Sequence, residues 1–142
     1  MNKKLQNKLF KEFPKLFKDR KKSFEKSCMA RGIEIDGDGW YDILHELCNE
    51  IQTFCDLKSD RQVYFDQVKE KFGMLRVSFY VKTTTDLGFS YGYVTGYVSA
   101  LCVVAERKSA TTCEICGKSE SSRCSLDSGL IKCVCYEHKK IK

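Results

Sequence analysis

Four residues at metal-ligand spacing constrain this chain more than any other feature: Cys113-Glu114-Ile115-Cys116-Gly117 and, further on, Cys135-Tyr136-Glu137-His138. Two thiolates separated by two residues can bite one metal ion from a single tight turn, and Gly117 directly behind relieves the backbone crowding there. Cys135 and His138 supply a second pair and complete a tetrahedral Cys₃His shell, a ligand set suited to Zn²⁺. Four protein ligands leave no position for water or substrate, so the spacing predicts a structural metal rather than a catalytic one.

Other uses of these thiols fit less well. A disulfide framework would leave at least one of the nine cysteines over, and no secretory signal is expected ahead of them. A redox Cys-x-x-Cys would follow a buried strand and open a helix, whereas here a helical pattern ends just before the motif. Cys124 has no partner at metal spacing and Cys133 is expected to point away from the ligand set. Spacing alone leaves open whether Cys28, Cys124 or Cys133 contributes to a metal site.

Apolar periodicity organises the remainder. Leu5, Leu9, Phe13 and Leu16/Phe17 recur at helical spacing among lysines 3, 4, 8, 11, 15 and 18, which predicts an amphipathic basic helix that Pro14 kinks or splits. Such a helix can lie on a membrane or in a partner's groove, but docking on its own domain is the expected outcome. Residues 18–37 read as a loop with a short extended piece. Gly37-Asp38-Gly39-Trp40 then opens the clearest helix, with Asp38 placed to cap it. Its stripe of Trp40, Ile43, Leu44, Leu47, Cys48, Ile51, Phe54 and Cys55 marks core, with Cys48 and Cys55 as buried thiols.

Val63–Val81 reads as a hairpin turning at Lys71-Phe72-Gly73, with clean alternation through Leu75, Val77, Phe79 and Val81. Two strands alone are marginal and need helices over one face. Thr83–Gly92 is expected to be a polar loop, followed by a third helix marked by Val94, Tyr97, Val98, Leu101, Cys102 and Ala105 and ending near Ser109. Phe89, Tyr91, Tyr93 and Tyr97 cluster at its entry; core packing is their expected fate, and a recognition surface if they are exposed. These patterns predict an α+β fold: three main helices packed on a β-hairpin or small antiparallel sheet, with a small C-terminal zinc-bound module. Residues 1–110 form the helical and hairpin core, and residues 111–142 the zinc-binding module packed on it in one compact unit.

Composition excludes whole classes. At 142 residues with 42% hydrophobic and 31% charged side chains, the chain has the profile of one ordinary globular domain. No apolar run approaches the roughly 20 residues of a membrane span. The net charge of +6 divides into +7 over residues 1–27, −6 over 28–60 and +5 over 61–142. A basic arm followed by an acidic helix can neutralise itself, so solvated faces and self-pairing are the expected reading of this charge.

Catalytic signatures are missing. A zinc deaminase needs His-x-Glu ahead of Pro-Cys-x-x-Cys, a zinc-held nuclease needs a histidine base beyond its ligands, and no phosphate loop or nucleophile elbow is present. The two histidines are His45, expected at the surface or boundary of the acidic helix, and His138, claimed by the metal. The chain is not expected to be an enzyme.

In order, Phe13-Pro14-Lys15-Leu16-Phe17, Cys28-Met29, Gly37-Asp38-Gly39-Trp40-Tyr41-Asp42, Leu47-Cys48, Gln67-Val68-Lys69-Glu70-Lys71-Phe72-Gly73 with Leu75-Arg76, Ala105-Glu106, Ser109, Cys113-Glu114-x-Cys116-Gly117 and Cys135-x-x-His138 follow a known pattern. Over nearly its whole length the chain resembles a family of small, mostly uncharacterised phage and prophage zinc-binding proteins. It departs from that pattern at Leu130, where an aromatic is usual, and in the longer segment Thr83–Gly92. The resemblance implies a phage origin, a zinc-binding C-terminus and work in the cytoplasm of a bacterial host.

With small size and no catalytic groups, it points to a protein that binds a host protein. The specific expectation is an inhibitor of a bacterial defence system, an anti-CRISPR protein acting on a type II effector nuclease. The alternative is a basic nucleic-acid-binding accessory or regulatory protein of phage that uses the first helix and Lys118, Arg123, Lys132, Lys139, Lys140 and Lys142 against phosphates. No finger helix or interleaved aromatics between the ligand pairs support that alternative.

Overall fold

The computed structural model describes residues 1–84, 88–126 and 129–139, with only the backbone of residues 88 and 89. The first helix, α1 (Lys3–Glu12), is capped by Asn2, whose side chain accepts from the Leu5 N–H at 3.0 Å, and it stops just before Pro14. Leu9, Phe13, Leu16 and Phe17 are all buried, so the basic segment docks on its own domain and turns its lysines outward. Two 3₁₀ turns, Lys18–Lys21 and Cys28–Arg31, lead to a two-residue strand, β1 (Ile33–Glu34).

Helix α2 (Tyr41–Asp56) buries the stripe read from the sequence, with Trp40, Leu44, Cys48 and Ile51 fully buried and Ile43 at its edge. Asp38 does not cap it through its side chain. The Asp38 carboxylate instead takes the Asn2 backbone N–H (2.7 Å) and side-chain amide (2.6 Å), while its backbone carbonyl accepts from the Tyr41 N–H. The carboxylate therefore ties down the entry to α1, a long-range contact that outcompetes the local cap.

Strands β2 (Arg61–Lys71) and β3 (Met74–Thr83) form the hairpin, closed by a two-residue turn in which Phe72 (φ 55°) and Gly73 (φ 72°) both take positive φ. The register slips between Phe65 and Gln67, making Asp66 the extra residue of a β-bulge. That bulge moves the inward set from Val63 and Phe65 to Val68. β1 adds in parallel to the outer edge of β2, giving the order β1-β2-β3.

Helix α3 (Gly88–Ser109) begins well before Val94, so the polar loop expected over Thr83–Gly92 is instead the end of β3 and the first turn of a helix; residues 85–87 lie outside the described residues. Gly92 and the β-branched and aromatic residues around it are poor helix formers. Packing overrides that propensity: the Tyr93 and Tyr97 rings lie 6.0 and 4.3 Å from Phe54. The chain ends in a small hairpin of β4 (Ser122–Ser125) and β5 (Ile131–Val134) and a 3₁₀ turn, Tyr136–His138. The result is α+β, with a Cys/His cluster in the C-terminal segment.

Candidate metal centre

Cys113 and Cys116 sit on the turn after α3, Cys135 follows β5, and His138 closes the 3₁₀ turn. The turn is tight because the Gly117 N–H donates to the Cys113 carbonyl (2.9 Å) and Gly117 takes φ 79°, open to glycine at no steric cost. One donor atom from each of Cys113, Cys116, Cys135 and His138 lies within 4.8 Å of the others. His138 Nδ1 is 3.4 Å from Cys113 Sγ and 3.2 Å from Cys135 Sγ, and Cys116 Sγ is 3.9 Å from Cys135 Sγ.

These separations suit a tetrahedral metal. Zn–S bonds of about 2.3 Å and Zn–N bonds of about 2.1 Å set the ligand edges at roughly 3.8 Å for S···S and roughly 3.6 Å for S···N. They are far too long for a disulfide, and all nine cysteines are free thiols. The donor set is consistent with Zn²⁺, which would close all four positions with protein atoms and supply folding energy rather than an open Lewis-acid site. Burial alone would raise the Cys113 pKa, but the N–H groups of Cys116, Cys135 and Ile115 outweigh burial and hold it below the ordinary thiol value.

The remaining cysteines are elsewhere. Cys133 packs in the main core and donates to the Ala110 carbonyl (3.3 Å), and burial pushes its thiol up to about 11. Cys48 is fully buried in the core with Cys102 packed against it, and burial, then the Cys102 thiol and Glu12, lifts Cys48 well above the usual thiol range. Cys124 is half-buried on β4 and packs beside Cys113, Val134 and Cys135. Cys28 is exposed. None of them joins the cluster among the described residues.

What spacing did not reveal is the support beneath the site. The Gly37-Asp38-Gly39-Trp40 segment lies directly against the ligand turn: the Gly39 N–H donates to the Glu114 carbonyl (2.8 Å), Asp38 N–H to the Ile115 carbonyl (3.3 Å), and Trp40 Nε1–H to the Thr112 carbonyl (2.7 Å). A Cβ on Gly39 would fall 2.0 Å from the Cys113 carbonyl oxygen, and one on Gly37 2.3 Å from that of Glu114. The two glycines are there because two backbones touch. No periodicity or ligand spacing encodes such a contact between residues so distant in sequence.

A charge cluster, buried at Glu114 and open to solvent at Asp36, locks the same seam. Lys132 Nζ lies 2.8 Å from Asp36, 3.0 Å from Glu70 and 3.2 Å from Glu114, and the Glu114 side chain is fully buried. The Asp36 N–H donates to the same Glu114 oxygen at 3.1 Å. Burial pulls the Lys132 pKa down, but the carboxylates around it win and hold it above the ordinary lysine value. For Glu114, burial raises the pKa more than Lys132 lowers it.

Lys132 is therefore not available to phosphates, contrary to the nucleic-acid expectation. Lys118 pairs with Glu137 (3.4 Å), Arg123 lies along Met74 and Lys139 is exposed, while Lys140 and Lys142 lie outside the described residues. His45 takes the boundary position expected of it, 34% exposed, with Nε2 2.8 Å from Glu12. Among the described residues no helix is long and apolar enough to cross a membrane.

No protein-family profile matches this chain, and neither a curated protein nor a solved structure matches it.

Proposed function

We propose that the protein is a phage- or prophage-encoded, non-catalytic zinc-binding protein that acts by occupying a surface of a host protein. Its most specific form is an inhibitor of a type II CRISPR effector nuclease. The origin rests on the resemblance carried by the Gly37–Asp42, Gln67–Gly73 and cysteine motifs. The Cys₃His site supports the non-catalytic half of the reading, since all four donors come from the chain and zinc there staples the fold.

One observation carries the binding half. Residues 88–105 of α3 contain no charged side chain, yet Tyr91, Tyr93, Tyr97, Val103 and Val104 are 48, 55, 37, 45 and 50% exposed. A helix apolar all round belongs in an interior, and a surface that lacks charge and is rich in tyrosine has the composition of an interface core. The tyrosines expected to be core are instead the exposed set, reached only in part by Phe54. Tyr93, Tyr97 and Val104, at i, i+4 and i+11, share one side of the helix, and such a face blocks a partner by covering it and needs no reacting group.

The test is a DNA-cleavage assay with a purified type II effector and its guide. The metal-loaded protein should suppress cleavage, and the Tyr93→Lys/Val104→Lys variant, with native melting, should need at least about tenfold more protein for the same effect. If type II effectors cleave at full rate in the presence of the protein, the target is wrong. If light scattering finds a stable dimer that the same double variant dissociates, the face belongs to a second copy instead.

A further inference from the structure

The face of the β-sheet turned away from the core carries a second surface, built from different chemistry. Because Val63, Phe65, Val68, Leu75 and Val81 point inward, the alternating residues Tyr64, Gln67, Lys69 and Lys71 and their β3 neighbours Tyr80, Ser78 and Arg76 share the opposite face. Tyr64 and Tyr80 stack at its centre, with ring centroids 5.2 Å apart and 22° between planes. Lys18 and Lys82 each lie over the Tyr64 ring, at 5.6 and 5.8 Å.

Two clefts flank that pair. One, of about 500 Å³, is lined by Lys15, Lys18, Lys58, Arg61 and Tyr64; the other, of about 440 Å³, by Lys69, Lys71, Phe72 and Arg76. Charge here is only partly self-cancelling: Lys15, Arg61 and Arg76 pair with Asp56, Asp60 and Glu106. Lys18, Lys58, Lys69, Lys71 and Lys82 make no ion pair with a carboxylate among the described residues. The acids alongside are mostly taken, Asp56 by Lys15, Asp60 by Arg61 and Asp19 by Lys22; Asp66 at the bulge and Glu34 hold no cation.

The hairpin tip adds a third sign. Phe72 sits at φ 55°, a region that a bulky residue rarely occupies and that glycine or asparagine fills without strain, yet its ring is 57% exposed beneath Lys71 at 5.3 Å. Its ring is not held there by packing. An exposed aromatic kept at an unfavourable φ, beside unpaired lysines and in line with a tyrosine pair, suits a flat ligand with negative charge at regular intervals.

We infer that this sheet face binds single-stranded nucleic acid, with Lys18, Lys69, Lys71 and Lys82 against phosphates and Tyr64 and Phe72 stacking on bases. Single strands are specified because stacking on a side chain requires a base already out of its duplex. The face shares no residue with the α3 surface or with the four metal-ligand positions, although its tip at Gly73 abuts Lys132 and Cys133, so it stands or falls separately from the host-protein reading.

Fluorescence anisotropy with labelled oligo(dT) and an unstructured RNA of the same length, at 50 and 200 mM KCl, tests it on the metal-loaded protein. Four neutralised phosphates give a logarithmic salt slope near −3, so affinity should fall roughly fiftyfold across that range. Lys71→Glu/Lys82→Glu should weaken binding at least about tenfold with metal content and melting unchanged. The sharper variant is Phe72→Gly, which relieves the positive φ and should hold or raise the melting temperature while costing at least about fivefold in affinity. A merely structural Phe72 would move both readouts together or neither. The inference is overturned by absence of binding at 50 mM KCl, by equal affinity for an abasic or fully duplex oligomer, or by binding that the three substitutions leave unchanged.

Discussion

The seam between residues 36–40 and the ligand turn, and the outer face of α3, are built on opposite terms although both depend on glycine. At the seam a Cβ on Gly39 would meet backbone at 2.0 Å; on α3 a Cβ at Gly92 or Gly96 would meet nothing within 4 Å. The seam hydrogen-bonds backbone to backbone across a long sequence separation and encloses a lysine among three carboxylates. Over residues 88–105 α3 carries no charged side chain of its own and leaves Tyr93 and Val104 about half-exposed. A closed seam is what holds a fold together, and an uncovered apolar face is what meets something else.

Removing the metal should break the comparison on the seam side and produce the largest effect. In zinc-finger peptides, binding of this kind is worth about 10–16 kcal/mol, more than most domains' entire stability. Cys116→Ser, Cys135→Ser or chelation should therefore strip hydrogen-exchange protection from β5 and the ligand turn, while the α2–α3 packing around Leu44, Ile51 and Val98 is retained longest. Cys133→Ser is the internal control, because its thiol lies in the core: metal stoichiometry should stay at one while stability drops by about 1–3 kcal/mol. Native melting of both ligand variants without bound metal would show the ligand assignment to be wrong.

Gly39→Ala comes next. The neighbouring atoms are the Cys113 carbonyl oxygen and the Gly117 nitrogen, both backbone, so no side chain can swing aside. The turn must lift off Trp40 and lose the hydrogen bonds from Gly39 and Trp40, at an expected cost of about 4 kcal/mol or more in denaturant unfolding. A cost under about 1 kcal/mol would mean that the seam is looser than its contacts imply. Lys132→Met should cost about 3 kcal/mol, because it leaves the fully buried Glu114 carboxylate without a counter-charge. Adding Glu114→Gln to that variant should recover part of the loss, and two additive effects would deny the coupling.

The sequence disclosed these regions unequally for physical reasons. The ligand set was legible because chelation requires fixed spacing, and α2 because its buried stripe keeps a 3.6-residue period from Trp40 to Cys55. In β2 the apolar residues Val63, Phe65 and Val68 break the two-residue period because the bulge at Asp66 shifts the inward set by one residue. The start of α3 was not legible, since Gly88-Phe89-Ser90-Tyr91-Gly92 lacks helix formers and owes its helicity to packing around Phe54. Nor was the role of Lys132: a lysine in a strand reads as surface, and the three carboxylates that enclose it come from residues 36, 70 and 114.

The smallest effect gives the clearest separation of fold from function on α3. Gly96 is exposed in the middle of a helix, its φ lies outside the left-handed region, and its missing Cβ would point into open space. Gly96→Ala should therefore stabilise the protein by about 0.5–1 kcal/mol, read as a rise in the melting temperature, by lowering the entropy lost on folding. Nothing in the isolated protein calls for glycine there. If the substitution raises stability and also weakens suppression of the effector nuclease, the glycine is kept for close approach of a partner backbone to α3. If it raises stability and leaves suppression intact, the contact runs through the side chains of the face, Tyr93, Tyr97 and Val104 among them, and needs no close backbone approach at residue 96.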